Sequence, residues 1–302
     1  MVHFQTGRLT GAIAYLDNGL LDTAGVGTTY LVQGDDIAIV ETGTSLCAPT
    51  ILDGLHALGV QPGVVRHIVL THVHMDHAGG AGVLAQAMPE ARVYIHSETA
   101  PYLVDPTRLL RSAERALGDL FARHGTIVPL PEERLAPAET LDLDLGRGVR
   151  LQAVPTPGHS PDHLSYFEPS SAALFAGDAI GISLPAYGYH GPVTPPPTYD
   201  VVAQYATFDT LLAIPAAHLL FSHWGSSPQP PRSTIERLRD DFERFDRLVR
   251  QGFEQGHVDE AAIIEAMLAG RSVPPAGEWV IVGWIVMSIK GLQRYYTKLT
   301  AT

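Results

Sequence analysis

A chain of 302 residues with 45% hydrophobic and 17% charged residues can fill a sizeable core, which excludes intrinsic disorder and collagen-like repeats and allows one or two domains. Its net charge of −12, from 20 basic and 32 acidic residues, makes it a poor non-specific binder of nucleic acid or of an anionic membrane. One cysteine, Cys47, leaves no intrachain disulfide framework and no cysteine-based zinc site. The N-terminal residues carry no apolar signal core, and the longest strongly apolar stretch, Trp279–Met287, is far short of the roughly 20 residues a bilayer demands. The expected setting is the cytoplasm and the expected partner a small-molecule substrate. A homodimer is one way to cover Trp279–Met287, burial within the chain the other.

In chain order, Ala12–Leu16, Thr28–Gln33 and Ile37–Glu41 read as strands, with a turn at Gly34-Asp35-Asp36. Pro49–Leu58 reads as a helix ending at Gly59, and the β-branched run Val64–Leu70 as a buried strand. Arg92–His96 is a short strand, and Thr107–His124 an amphipathic, Arg-rich helix closing at Gly125. Val149–Val154, Leu164–Phe167, Ala172–Phe175 and Leu219–Ser222 read as strands, and Tyr199–Ile214 as a helix. After Pro231 the spacing of Ile235, Leu238, Phe242, Phe245, Leu248 and Val249 predicts a helix with one apolar stripe. Val258–Leu268 predicts another. Trp279–Leu299 fits a strand by its β-branched run and a helix by its length, and the helix is preferred. Residues 1–231 are thus expected to form an α/β body that carries every candidate ligand, and 232–302 a helical extension packed on it.

Residues 71–77 read Thr-His-Val-His-Met-Asp-His, directly after the strand Val64–Leu70. Four side chains that suit zinc and neighbouring divalent metals, His72, His74, Asp76 and His77, fall within six residues. On an extended stretch His72 and His74 point the same way and can share one metal. A turn, favoured by Gly79-Gly80, lets Asp76 and His77 reach a second. Packing this cluster without a metal would bury several unpaired polar groups at about 1–3 kcal/mol each. Downstream, His159, Asp178 and His223 each follow a strand and lie next to glycine or on a loop, the placement of a site built on a rigid sheet.

His72-Val73-His74-Met75-Asp76-His77, with His159, Asp178 and His223 in order, resembles the metallo-β-lactamase fold hydrolases. Glu41-Thr42-Gly43, Asp105-Pro106, Pro195-Pro196-Pro197 and Ser222-His223-Trp224-Gly225 are similar to a prokaryotic branch related to glyoxalase II. The resemblance implies an α+β fold, a four-layer αβ/βα sandwich with the site at one edge between two sheets, here with a C-terminal helical appendage. It implies two divalent ions per chain, zinc first and iron or manganese as alternatives. His72, His74 and His159 would hold one ion, Asp76, His77 and His223 the other, with Asp178 bridging. Glu41 stands where the family has aspartate, and it either orients a ligand or caps a turn.

The implied chemistry is hydrolysis by a hydroxide shared between the ions, which needs no serine or cysteine nucleophile. Asp76 and Asp178 would belong to the catalytic set. The complete ligand set argues against a β-lactamase proper. Glyoxalase II and persulfide dioxygenase hold glutathione with basic residues after the bridging aspartate, and this chain has no lysine or arginine between Leu151 and Pro231. The acyl-homoserine lactonases place a tyrosine where this chain has Gly181. Tyr187, Tyr189 and His190 are candidates for that role, or else loop aromatics that shield the core. The uncharged, proline-rich loop from Gly181 to Thr198 suits a neutral ester, lactone or thioester. The nearest candidate anion clamps are Arg271, Lys290, Arg294 and Lys298 in the C-terminal segment. Two enzymatic alternatives are a glyoxalase II-like glutathione thioesterase and a mononuclear iron dioxygenase of the persulfide dioxygenase type, with iron on His72, His159 and Asp178. The third is a metal-binding protein without turnover.

Overall fold

The structure is a computed structural model and describes residues 5–301. The chain first builds a mixed sheet in simple sequence order: β1 (Thr6–Arg8), β2 (Ile13–Asp17), β3 (Thr28–Gln33), β4 (Ile37–Val40), β5 (Val65–Val69), β6 (Arg92–Ile95) and β7 (Leu135–Pro137). The first four pair antiparallel and the last four parallel. Parallel neighbours need crossover connections. These are α1 (Ala48–Ala57), then α2 (Met75–Ala78) with α3 (Ala81–Ala87), then α4 (Pro101–Val104) with α5 (Thr107–Leu117).

The second sheet holds β8 (Asp142–Gly146), β9 (Val149–Pro155), β10 (Leu164–Glu168) and β11 (Ala173–Gly177). A hairpin, β12 (Ile182–Leu184) and β13 (Tyr189–Gly191), and the helix α6 (Val201–Leu212) intervene before β14 (His218–Phe221) and β15 (Gly225–Ser226) complete it. The order is β15-β14-β11-β10-β9-β8.

Period-two alternation explains why the sheets stack. Tyr30, Val32, Ala38 and Val40 meet Ala173, Phe175 and Leu220 in a core between the sheets. Their neighbours Leu31, Ile39, Leu174, Leu219 and Phe221 face the helical layers outside. Two buried tyrosines stitch the layers together, because a buried phenol needs an acceptor. Tyr30 donates to Phe221 O at 2.6 Å and Tyr166 to Leu70 O at 2.7 Å.

Three helices follow: α7 (Pro231–Glu254), α8 (Glu260–Leu268) and α9 (Pro275–Thr300). The α7 stripe of Ile235, Leu238, Phe242, Phe245 and Val249 is buried, and Phe242 packs against Tyr205 and Phe208 of α6. Val280, Ile281, Trp284, Ile285, Ile289 and Leu292 of α9 are buried within the same chain. Among the described residues no helix is long and apolar enough to cross a membrane. Trp279–Leu299 is helical, as preferred, and the helix begins at Pro275. The expected helix Thr107–His124 is not continuous. Gly118 takes φ 54°, which ends α5 at Leu117, and Gly118–His124 continues as a 3-10 helix.

Candidate metal centre

Leu70–Val73 leaves β5 without regular structure, and His74 sits at the N-terminal boundary of the single turn α2. Asp162 holds the stretch open by accepting from Val73 N–H (2.9 Å) and from the Thr99 hydroxyl (2.9 Å). The α2 turn then carries Asp76 and His77 back towards His72. It docks on the Glu41-Thr42-Gly43 turn: Thr42 donates to His77 O through N–H (2.9 Å) and hydroxyl (2.7 Å), and Gly80 N–H donates to Gly43 O (2.9 Å). A Cβ on Gly80 would collide with Thr42 O, so this approach requires glycine.

The turns bring seven side chains together. His72 Nε2 and His159 Nε2 lie 2.8 and 3.0 Å from His74 Nδ1. His77 Nε2 and His223 Nε2 are 3.3 Å apart, and Asp76 Oδ2 is 3.8 and 3.6 Å from them. Asp178 reaches both groups: its Oδ2 is 3.4 Å from His77 Nε2 and 3.7 Å from His159 Nε2, and its Oδ1 is 3.6 Å from His223 Nε2. The ligand atoms of His72, His74 and His159 lie within 4.8 Å of one another, as do those of Asp76, His77 and His223, and those of His72, His77 and Asp178.

The outer ring nitrogens test whether a cation fits. His159 Nδ1 is 3.1 Å from Val193 O, His223 Nδ1 is 3.0 Å from Val26 O, and His77 Nδ1 is 2.9 Å from Glu41 Oε2. These oxygens only accept, so each Nδ1–H donates outward and, in the neutral ring, the Nε2 lone pair points inward. Asp178 Oδ1 is buried without a hydrogen-bond partner. Inward lone pairs about 3 Å apart, beside an unpartnered carboxylate oxygen, suit a divalent metal.

The family model of the metallo-beta-lactamase superfamily matches residues 22–223. The chain belongs to the metallo-beta-lactamase superfamily. It is 30% identical over 210 residues to the metallo-beta-lactamase fold-containing protein ST1585 of Sulfurisphaera tokodaii, covering 66% of this chain and 73% of that one. The crystal structure of ST1585 superposes with a TM-score of 0.72 at 22% identity, over 94% of this chain and 99% of its own. The Bacillus subtilis protein YobT is 32% identical over 152 residues, half of this chain and 60% of YobT. The atrochrysone carboxyl ACP thioesterase dmxR1 of a Cryptosporiopsis species is 28% identical over 159 residues, half of this chain and 38% of that one. The chain thus spans less than two thirds of YobT and dmxR1.

Within this superfamily site the two groups differ electrically. Burial holds His72, His74 and His159 below the ordinary imidazole range, His159 at about 3, helped at His72 and His159 by neighbouring rings. Burial also opposes charge on His77 and His223, but Asp178 and the other carboxylates outweigh it and hold both above that range. Asp178 is buried and Asp76 partly so, yet the facing His77 and His223 keep their carboxyls well below the usual carboxylate range.

Glu41, which left two readings open in the sequence, faces the cluster. Besides its contact to His77, its Oε1 accepts from Thr71 N–H at 3.3 Å. His163 was missed by the sequence reasoning. Its Nε2 accepts from Asp178 N–H (3.0 Å), its Nδ1 lies 2.8 Å from the Thr156 hydroxyl, and burial lowers it to about 3. The available signal was its place four residues after His159, beside Asp162.

A cavity of about 390 Å³ opens on His74, Asp76, His159, Asp178 and His223. Its walls are largely apolar, from Val73, Leu109, Leu117, Val193, Pro195–Pro197, Trp284 and Met287. Trp284 lies 4.8 Å from the His223 ring, so α9 reaches the centre. Tyr187, Tyr189 and His190 are not in the lining. Tyr187 donates to Ala24 O (2.6 Å), Tyr189 is buried under Arg271, and His190 pairs with Asp241 (2.7 Å). At Gly181 (φ 97°) a Cβ would collide with Gly191 O, so no side chain can stand there. Arg271 is engaged by Asp241 (3.3 Å) and Lys298 by Pro197 O (2.6 Å). Arg108 of α5, stacked over the Tyr102 ring, is the arginine of the lining.

Proposed function

We propose that this chain is a dinuclear hydrolase of neutral carbonyl esters, lactones or thioesters. The reading rests on one observation: Asp178 touches two separate groups of inward-facing ligand atoms. His72, His74 and His159 would hold one divalent ion and Asp76, His77 and His223 the other, zinc before iron or manganese by the imidazole-rich donor set. Such ions lower the pKa of bound water to near neutrality and polarise a carbonyl oxygen.

The protein's own residues do the rest. The carbonyl and carboxylate partners of the outer nitrogens keep the His159, His223 and His77 rings in register. Val193, Pro195–Pro197 and Met287 exclude water from the walls and offer apolar surface to an acyl or alkyl group. The loop from Gly181 to Thr198, whose Val193 and Pro195–Pro197 line the cavity, carries no lysine or arginine, which favours a substrate without negative charge. The likeness to a named ACP thioesterase supports the thioester within this class.

The test is elemental analysis of protein purified without added metal, then a panel of esters, lactones and thioesters. We expect two ions per chain and turnover that chelation abolishes and zinc restores. Asp178→Ala should lose at least one ion and most of the turnover. One iron per chain with oxygen consumption and no ester turnover would replace this reading by the dioxygenase.

A further inference from the structure

His124 closes the 3-10 segment Gly118–His124 and faces the cavity, yet it is no ligand. Only 3% of it is exposed. Its Nδ1 lies 2.9 Å from Leu120 O, a carbonyl that only accepts, so Nδ1–H donates there and fixes the ring. The neutral ring therefore carries its lone pair on Nε2. That nitrogen has no protein partner among the described residues, and Asp76, also in the lining, is beyond ion-pair distance from it. Nor is it sealed in the core. Among the described residues, the fully buried side-chain atoms without a partner belong to His67, Ser160, Asp178 and Tyr199. Nε2 is thus not fully buried, and the residue's place in the lining sets it at the cavity.

The mount is rigid. Gly125 takes φ 67°, Thr126 N–H donates to Ser45 Oγ at 3.1 Å, and a Cβ on Gly125 would strike that same oxygen. The lining that His124 shares includes apolar Ala116, Leu117, Val193 and Met287 as well as the carboxylate of Asp76. An acceptor anchored in this way disfavours ligands that cover it without satisfying it, because they leave it desolvated and unpaired.

We propose that His124 is a substrate-contacting residue whose Nε2 accepts a hydrogen bond from a hydroxyl or amide N–H on the substrate, so that the preferred ester or thioester carries such a donor. The proposal rests on the hydrolase reading for the word substrate but not for the contact.

The metal-loaded protein at pH 8.5 is titrated with hexanoate, 2-hydroxyhexanoate, 3-hydroxyhexanoate and N-acetylglycine, with tryptophan fluorescence as the signal. At least one of the three donor-bearing acids should bind about tenfold more tightly than hexanoate. The ratio should fall to near one in His124→Phe and survive in part in His124→Gln, with metal content unchanged in both. Equal affinities in the wild type, no binding of any acid, a preference that persists in His124→Phe, or metal loss in both variants overturns the proposal. A preference without ester turnover retires the hydrolase reading and leaves the contact standing; turnover without a preference does the reverse.

Discussion

Glu41 takes φ 71°, in the left-handed region that few side chains other than glycine, asparagine and aspartate adopt. The surrounding contacts impose it: Glu41 N–H donates to Val69 O (3.0 Å) while the carboxylate spans His77 and Thr71. The conformation aims a carboxylate at the outer edge of a ligand ring, and such outer partners typically change metal affinity 10- to 100-fold. Glu41→Gln should therefore weaken one ion by about that factor while circular dichroism stays unchanged, as read by competition with a chromophoric chelator. The seven candidate ligand positions stand out in the sequence because they crowd strand ends and turns, where a histidine has few structural reasons to be. His163 and His124 do not stand out. One lies in an ordinary-looking loop, the other at the end of what reads as an exposed, Arg-rich helix. Only tertiary packing buries them beside the centre.

The helix α9 reaches the centre because it carries small residues where the 192–197 loop crosses it. Thr194 N–H donates to Ser288 Oγ (3.1 Å), the Thr194 hydroxyl donates to Ser288 O (2.7 Å), and a Cβ on Gly291 would collide with Thr194 O. Gly291→Val should cost about 1–3 kcal/mol, the usual range for overpacking, and lower the Tm. It should also raise KM more than it lowers kcat, because Val193 and Pro195 of that loop line the cavity. The long elements were legible from periodicity, including the α7 stripe and the inner strands. The short ones were not: β1, β7 and β8 are three to five residues long, and the exposed Asp142 and Asp144 of β8 offer no apolar run. The break at Gly118 was hidden because one glycine within a helical pattern is commonly tolerated. The placement of α9 against the centre depends on long-range contacts that no local pattern encodes.

At the scale of the whole molecule, the pH response of metal binding follows from the two electrical environments. His72, His74 and His159 are pushed down, so they give up protons more readily than an ordinary imidazole and lose little affinity as pH falls towards neutrality. His77 and His223 are pushed up, so without metal they keep protons that an incoming ion must displace. The sign is fixed: affinity of the Asp76–His77–His223 group rises with pH, and acidification strips it first. Zinc titration at pH 6, 7 and 8, in buffers of different ionisation enthalpy, should show one pH-steep, proton-releasing site and one nearly flat. Equal slopes would remove the distinction. The layout of the cavity carries a consequence for how such a molecule diversifies. The groups that could hold ions stand on turns of the two sheets, while Leu109, Ala113, Leu117 and Met287 come from helices around them. A gene library randomised at those four codons would reshape the berth without disturbing the reactive centre. On the hydrolase reading, substitutions in those helices alone would change which substrate fits and leave the proposed ion-holding turns as they are.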